Sequence, residues 1–139
     1  MASESAWSSQ VRWAECDAAG IIYHARVFDW FSEGRIAWLR DHALDYYEVL
    51  RPRGVDLLVK SAHAAFRHTL HPGDAVKLLV TVEELSFTRV SFCYRVLTPQ
   101  NLEVEALSGI TEHAFVADGR AKRLDRFAPD IMERFEQAL

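Results

Sequence analysis

The second half of the chain alternates. From Ala75 to Leu85, Val76, Leu78, Val80 and Val82 fall on every second position, and from Arg89 to Leu97, Val90, Phe92, Tyr94 and Val96 alternate with Ser91, Cys93 and Arg95. A period of two marks a strand with one buried face. Val55 to Leu70 and Leu102 to Ala117 are also strand-like, and the turn signals His71-Pro72-Gly73-Asp74 and Thr98-Pro99-Gln100-Asn101 punctuate the series. Consecutive strands joined by short turns pair antiparallel, and their apolar face needs a cover.

One upstream segment can supply that cover. Val27, Phe28, Phe31, Gly34, Trp38 and Leu39 recur at steps of three and four, which predicts a helix running to about His42. Gly34 costs such a helix around 1 kcal/mol relative to Ala, so close packing against the sheet is its expected compensation. Glu33 and Arg35 fall off the apolar face and read as solvated. Before the helix, Val11 and Trp13 alternate with Arg12 and Ala14, predicting a short strand from Gln10 to Ala14 after a loosely held start over residues 2 to 9. Leu44 to Gly54 reads as a connection punctuated by Pro52 and Gly54. Ala128 to Leu139 reads as a short amphipathic helix, with Pro129 at its tolerated first position and Ile131, Met132 and Phe135 on one side. The order implies an α+β domain, an antiparallel sheet covered by one long helix, spanning residues 1–139 as a single unit.

Composition narrows the function classes. Of 139 residues half are hydrophobic, ample for one core, and the formal charge is −4. An acidic chain is a poor partner for nucleic acid or an anionic membrane surface. Cys16 and Cys93 lack metal-site spacing and are too few for a disulfide framework. There is no apolar run of the roughly 20 residues that a bilayer span needs, nor a basic and apolar leader in residues 1 to 10, so a cytoplasmic protein is expected. The histidines His24, His42, His63, His68, His71 and His113 do not fall at zinc-ligand spacing, and no metal is expected. All but His24 read as structural or exposed. No Gly-x-Ser-x-Gly elbow, dinucleotide or P-loop signature occurs.

Chemistry is concentrated at residues 14 to 31, where an acidic loop passes through Gly20 into the aromatic helix. Asp17 stands just ahead of the helix start. The first turn of a helix leaves backbone N–H groups unpaired and carries partial positive charge, which suits a carbonyl oxygen gaining negative charge. A carboxylate facing the same carbonyl can attack its carbon or deprotonate a water that does. Hydrolysis of an ester or thioester fits. Asp before a helix is also a common cap, and Gly20 also fits a purely conformational role; spacing alone leaves both readings open.

Asp17-Ala18-Ala19-Gly20-Ile21-Ile22-Tyr23-His24, with Val27-Phe28 and Phe31, resembles the signature of the 4-hydroxybenzoyl-CoA thioesterase family of hotdog-fold enzymes, including the branch associated with the Tol-Pal system. The resemblance is dense over residues 11 to 39. It implies a hotdog fold, an antiparallel sheet wrapped around a long central helix, and an acyl-CoA thioesterase acting on aromatic or short-to-medium-chain acyl groups. It makes Asp17 the nucleophile or general base. It makes the backbone N–H of His24, with that of Tyr23, the donor to the thioester carbonyl, and Gly20 the shaper of the loop between them. The His24 ring is left secondary. Relatives often carry Asn and Tyr where this chain has Arg26 and Val27, a departure that bears on substrate identity.

The substrate would bring its own coenzyme A, with no separate cofactor. Its phosphates need cations, and the resemblance favours Arg89, with Arg120, Lys122 and Arg123 as further candidates. The family also implies homodimers that double to homotetramers, pairing an exposed sheet edge. Val59 to Ala65 is the expected partner-facing strand, with Ser61 and His63 reaching the neighbour's pocket. The rival reading is a non-catalytic acyl-binding protein of the same fold in which Asp17 only caps the helix.

Overall fold

The computed structural model describes residues 3–139. Its elements in chain order are β1 (Glu4–Gln10), α1 (Val27–Asp41), β2 (Asp56–Phe66), β3 (Ala75–Leu85), β4 (Arg89–Leu97), β5 (Glu105–Ala117), β6 (Arg120–Ala121), α2 (Leu124–Phe127) and α3 (Pro129–Gln137). The main strands form one antiparallel sheet in the order β1-β3-β4-β5-β2, and β6 turns back to pair antiparallel with the end of β5. β3 and β4 have the bounds that alternation predicts.

The alternation becomes layering. Val76, Leu78, Val80, Val82, Val90, Phe92, Tyr94, Val96, Leu107 and Phe115 are buried on the sheet face toward α1, which answers with Val27, Trp30, Phe31, Trp38 and Leu39. Phe31 stacks on Tyr94 with ring centroids 4.3 Å apart. Two glycines allow this closeness. A Cβ on Gly34 would stand 2.2 Å from Leu78 Cδ2 and 2.7 Å from Val80 Cγ2, and one on Gly109 would stand 2.4 Å from the Phe31 ring. The helix lies over β1, β3 and β4; Val59 and Phe66 of β2 remain about half exposed.

The first strand differs from the sequence reading. β1 occupies Glu4–Gln10, in register with β3 from Glu4↔Thr81 to Gln10↔Ala75, while Trp13–Glu15 forms a 3₁₀ turn. Trp13, expected to be buried with Val11, is 82% exposed. Pairing with the already alternating β3 makes a strand of a serine-rich segment that carries little pattern of its own. Residues 44 to 54, expected as a plain connection, contain a π-type turn at Tyr46–Leu50, capped by Asp45, and a 3₁₀ turn at Arg51–Arg53.

Arg35 also departs from expectation. Its Nη1 donates to Tyr94 Oη at 3.0 Å, Tyr94 Oη lies 2.6 Å from Thr111 Oγ1, and Thr111 Oγ1 lies 2.8 Å from His113 Nε2. This buried polar chain runs from α1 across β4 to β5. His113 is fully buried, and burial, reinforced by the Arg35 charge, pushes its imidazole down to about 4.

Candidate active site

The loop ahead of α1 is stitched to itself and to the sheet. Asp17 N–H donates to Ile21 O at 3.0 Å, Gly20 N–H to Asp17 O at 3.0 Å, and Ile22 N–H to Leu70 O at 2.9 Å. Gly20 sits at φ 77, the left-handed region that closes the turn and favours glycine. The last of these bonds draws the connection after β2 against the loop.

Glu15 anchors the loop to the helix. Its carboxylate accepts the Arg12 N–H at 2.8 Å through Oε1 and the Trp30 indole N–H at 2.8 Å through Oε2. Burial works to raise its pKa, but these bonds and the Arg12 guanidinium outweigh it and hold the group below the ordinary carboxylate value. A buried carboxylate two residues before Asp17 is thus kept charged by the groups it ties together.

Asp17 is exposed, and Oδ1 accepts the Ala19 N–H at 2.9 Å. Oδ2 takes no hydrogen bond among the described residues. The side chain opens on a cleft of about 330 Å³ shared with Ile21, Ile22, His24, Phe66, Arg67, His68 and Thr69. His24 begins a 3₁₀ turn, His24–Arg26, that leads directly into α1. As the first residue of that turn, it presents an amide with no acceptor among the described residues.

The other expected positions fall differently. The Tyr23 N–H donates to Glu15 O at 2.8 Å, so this amide is already occupied. Arg89 lines a separate cleft of about 460 Å³ together with Glu83, Glu84 and Glu112. Ser61 and His63 lie exposed on β2, in register with Glu112 and Ile110, and Ser61 Oγ donates to Glu112 Oε2 at 3.1 Å. The structure therefore brings Asp17, Gly20 and His24 together and holds Arg89, Ser61 and His63 apart from them within the chain.

Phe66, Arg67, His68 and Thr69 form the wall that sequence reasoning missed. Arg67 is tethered by an ion pair to Glu105, which Arg95 also binds at 2.6 Å. No local pattern announces this wall. It exists because a backbone bond from Ile22 reaches Leu70, across nearly fifty residues of chain.

A family model of the thioesterase-like superfamily matches residues 11–135. The chain belongs to that superfamily. The chain is 28% identical over 100 residues, 71% of its length and 72% of the relative's, to YneP of Bacillus subtilis (strain 168), provisionally named an acyl-CoA thioesterase. It superimposes on a DHNA-CoA thioesterase from Staphylococcus aureus with a TM-score of 0.89, at 24% identity and covering 96% of this chain and 89% of the other. A hypothetical protein from Thermus thermophilus superimposes with a TM-score of 0.88 at 27% identity, covering 97% and 99%. The fold is the hotdog fold, and the protein is a thioester hydrolase.

Proposed function

We propose that the thioesterase hydrolyses an acyl-CoA, of aromatic or short-to-medium-chain acyl group, to the free acid and CoA. The observation that carries this reading is that Asp17 and His24 line one cleft and that the His24 amide has no acceptor among the described residues. The thioester carbonyl oxygen accepts the His24 N–H, and negative charge gathers there as the carbon becomes tetrahedral. Asp17 either attacks that carbon, giving an anhydride that water then opens, or removes a proton from a water that attacks. In both courses the C–S bond breaks, the thiolate leaves and takes up a proton, and water supplies the oxygen of the acid. Gly20 contributes by setting the turn that presents Asp17.

The working unit in this reading is a homodimer, itself able to pair into a tetramer, with β2 strands joined edge to edge. The support is the unpaired outer edge of β2 and the half-exposed Val59 and Phe66 beside it. Antiparallel pairing of two β2 strands carries Ser61, His63 and the Arg89 end of one protomer toward the partner's cleft. The test is thiol release from a panel of aromatic and aliphatic acyl-CoAs by the natural chain and by Asp17→Asn. Release by the first alone supports hydrolysis at Asp17, whereas tight binding without release by either favours a non-catalytic acyl-binding role.

A further inference from the structure

We propose that Arg35, with Ser32 beside it, binds a carboxylate at the far end of the acyl group, so that the preferred substrates are mono-CoA thioesters of aliphatic dicarboxylic acids. The inference rests on the CoA-ester reading above and names the acyl class that the Asp17 cleft serves.

Arg35 is a cation without a counter-charge. Half-buried on α1, it donates through Nη1 to Tyr94 Oη at 3.0 Å and through Nη2 to Ser32 Oγ at 3.2 Å, and it forms no ion pair among the described residues. The groups behind it are neutral as well. Tyr94 and Thr111 are buried hydroxyls, and His113 is held unprotonated by burial and by the Arg35 charge itself. By contrast, the more exposed Arg53, Arg67, Arg95 and Arg123 each hold a carboxylate. A partly desolvated guanidinium is costly to leave unpaired, and its planar fork matches a carboxylate.

An uncovered track joins this cation to the cleft. Residues directly opposite one another on neighbouring strands share a face. Val59, Ala62, Ala64 and Phe66 of β2, in register with His113, Thr111, Gly109 and Leu107 of β5, therefore look toward the α1 side of the sheet. The helix lies over β1, β3 and β4 and leaves them open, with Val59 and Phe66 about half exposed, Ala62 exposed and Ala64 half-buried. Phe66 also lines the Asp17 cleft. Ala62 stands opposite Thr111, whose hydroxyl meets Tyr94 and through it Arg35. From Phe66 to Ala62 the strand runs about 13 Å, at about 3.3 Å per residue. The alanines in the middle leave room for a methylene chain. Such a chain, with its thioester between Asp17 and His24, carries its far carboxylate to Arg35. An aliphatic chain of medium length spans this distance, whereas a single carboxylated ring does not.

The test is steady-state kinetics of the full chain on two esters of equal carbon number, suberoyl-CoA and octanoyl-CoA, with sebacoyl-CoA and decanoyl-CoA as a longer pair. The natural chain should prefer the carboxylated member of at least one pair by about tenfold or more in kcat/KM, mainly through KM. This preference is read without any substitution. Arg35→Gln should remove it, and Arg35→Lys should restore part of it, because an ammonium keeps the charge without the fork. An equal fall for both members of a pair in Arg35→Gln would make Arg35 structural and overturn the assignment, as would an equal preference for the ω-hydroxyoctanoyl ester. Hydrolysis of the plain acyl esters with no preference for either dicarboxylic one rejects this site alone; no hydrolysis of any acyl-CoA by the natural chain rejects the reading beneath it.

Discussion

The indole N–H of Trp30 donates to Oε2 of Glu15 at 2.8 Å, joining the first turns of the long helix to the residue that stands two places before Asp17. Oε1 of the same carboxylate holds the Arg12 N–H. One buried side chain thereby fixes the spacing between the loop and the helix start on which the proposed chemistry depends. Glu15→Gln keeps an acceptor for one of these donors and offers an amide to the other. It should lower kcat on the order of tenfold with KM little changed, and shift the Trp30 fluorescence maximum, because a mispositioned carboxylate weakens transition-state binding more than ground-state binding. A protein that loses stability but retains its kcat would show Glu15 to be structural only.

The His24 contribution separates into backbone and ring. His24→Ala keeps the amide and should cost less than about tenfold in kcat, whereas His24→Pro removes the N–H and should cost about a hundredfold or more, as loss of an oxyanion donor does. Proline is tolerated at the first residue of a helical turn, and Tyr23 already holds the extended conformation that proline prefers before it (φ −74, ψ 125). Steady-state kinetics on both variants decides the point: equal losses would return the role to the imidazole.

The buried His113 couples stability to pH. Its folded pKa of about 4 lies below the ordinary 6.5, so the folded state binds fewer protons than the unfolded state between those values. The stabilisation is fully present above pH 6.5 and is lost as pH falls toward 4, at a cost of roughly 3 kcal/mol over the window. Denaturant unfolding at a series of pH values should show this decline, and His113→Gln should flatten it. An unchanged slope in the variant would assign the decline to other groups.

Two glycines mark where the layers touch. Gly109→Ala would set its Cβ 2.4 Å from the Phe31 ring and 2.7 Å from the His63 carbonyl oxygen, whereas at Gly34 the obstacles are the tips of Leu78 and Val80. Overpacking costs on the order of 1–3 kcal/mol, and at Gly34 the better helix propensity of Ala returns about 1 kcal/mol. Thermal unfolding should therefore show the larger loss at Gly109. The reverse order would mean that the ring of Phe31 moves aside more readily than the Leu78 side chain.

Much of this architecture is visible in the sequence because the pattern is local. Val76 to Val82 and Val90 to Val96 declare their strands by alternation, and Val27 to Leu39 declares its helix by spacing. β1 is invisible for the opposite reason: Ser5, Ser8 and Ser9 become strand residues only through pairing with β3. Arg35 looks solvated on a helical projection, yet the Tyr94 hydroxyl meets it. At the site, Asp17, Gly20 and His24 are near neighbours in sequence, and their loop is legible as a unit. Phe66 to Thr69 join them through the long-range Ile22–Leu70 bond, which no short spacing encodes.

The central claim is that the Asp17 carboxylate carries the hydrolysis. It is tested most directly by single-turnover thiol release from a preferred acyl-CoA, comparing the natural chain with Asp17→Asn at matched, saturating protein concentration. Loss of at least about a thousandfold in the chemical rate is expected, in line with removal of an essential nucleophile or base, with binding of the ester retained. Thiol release by Asp17→Asn at the rate of the natural chain would contradict the claim.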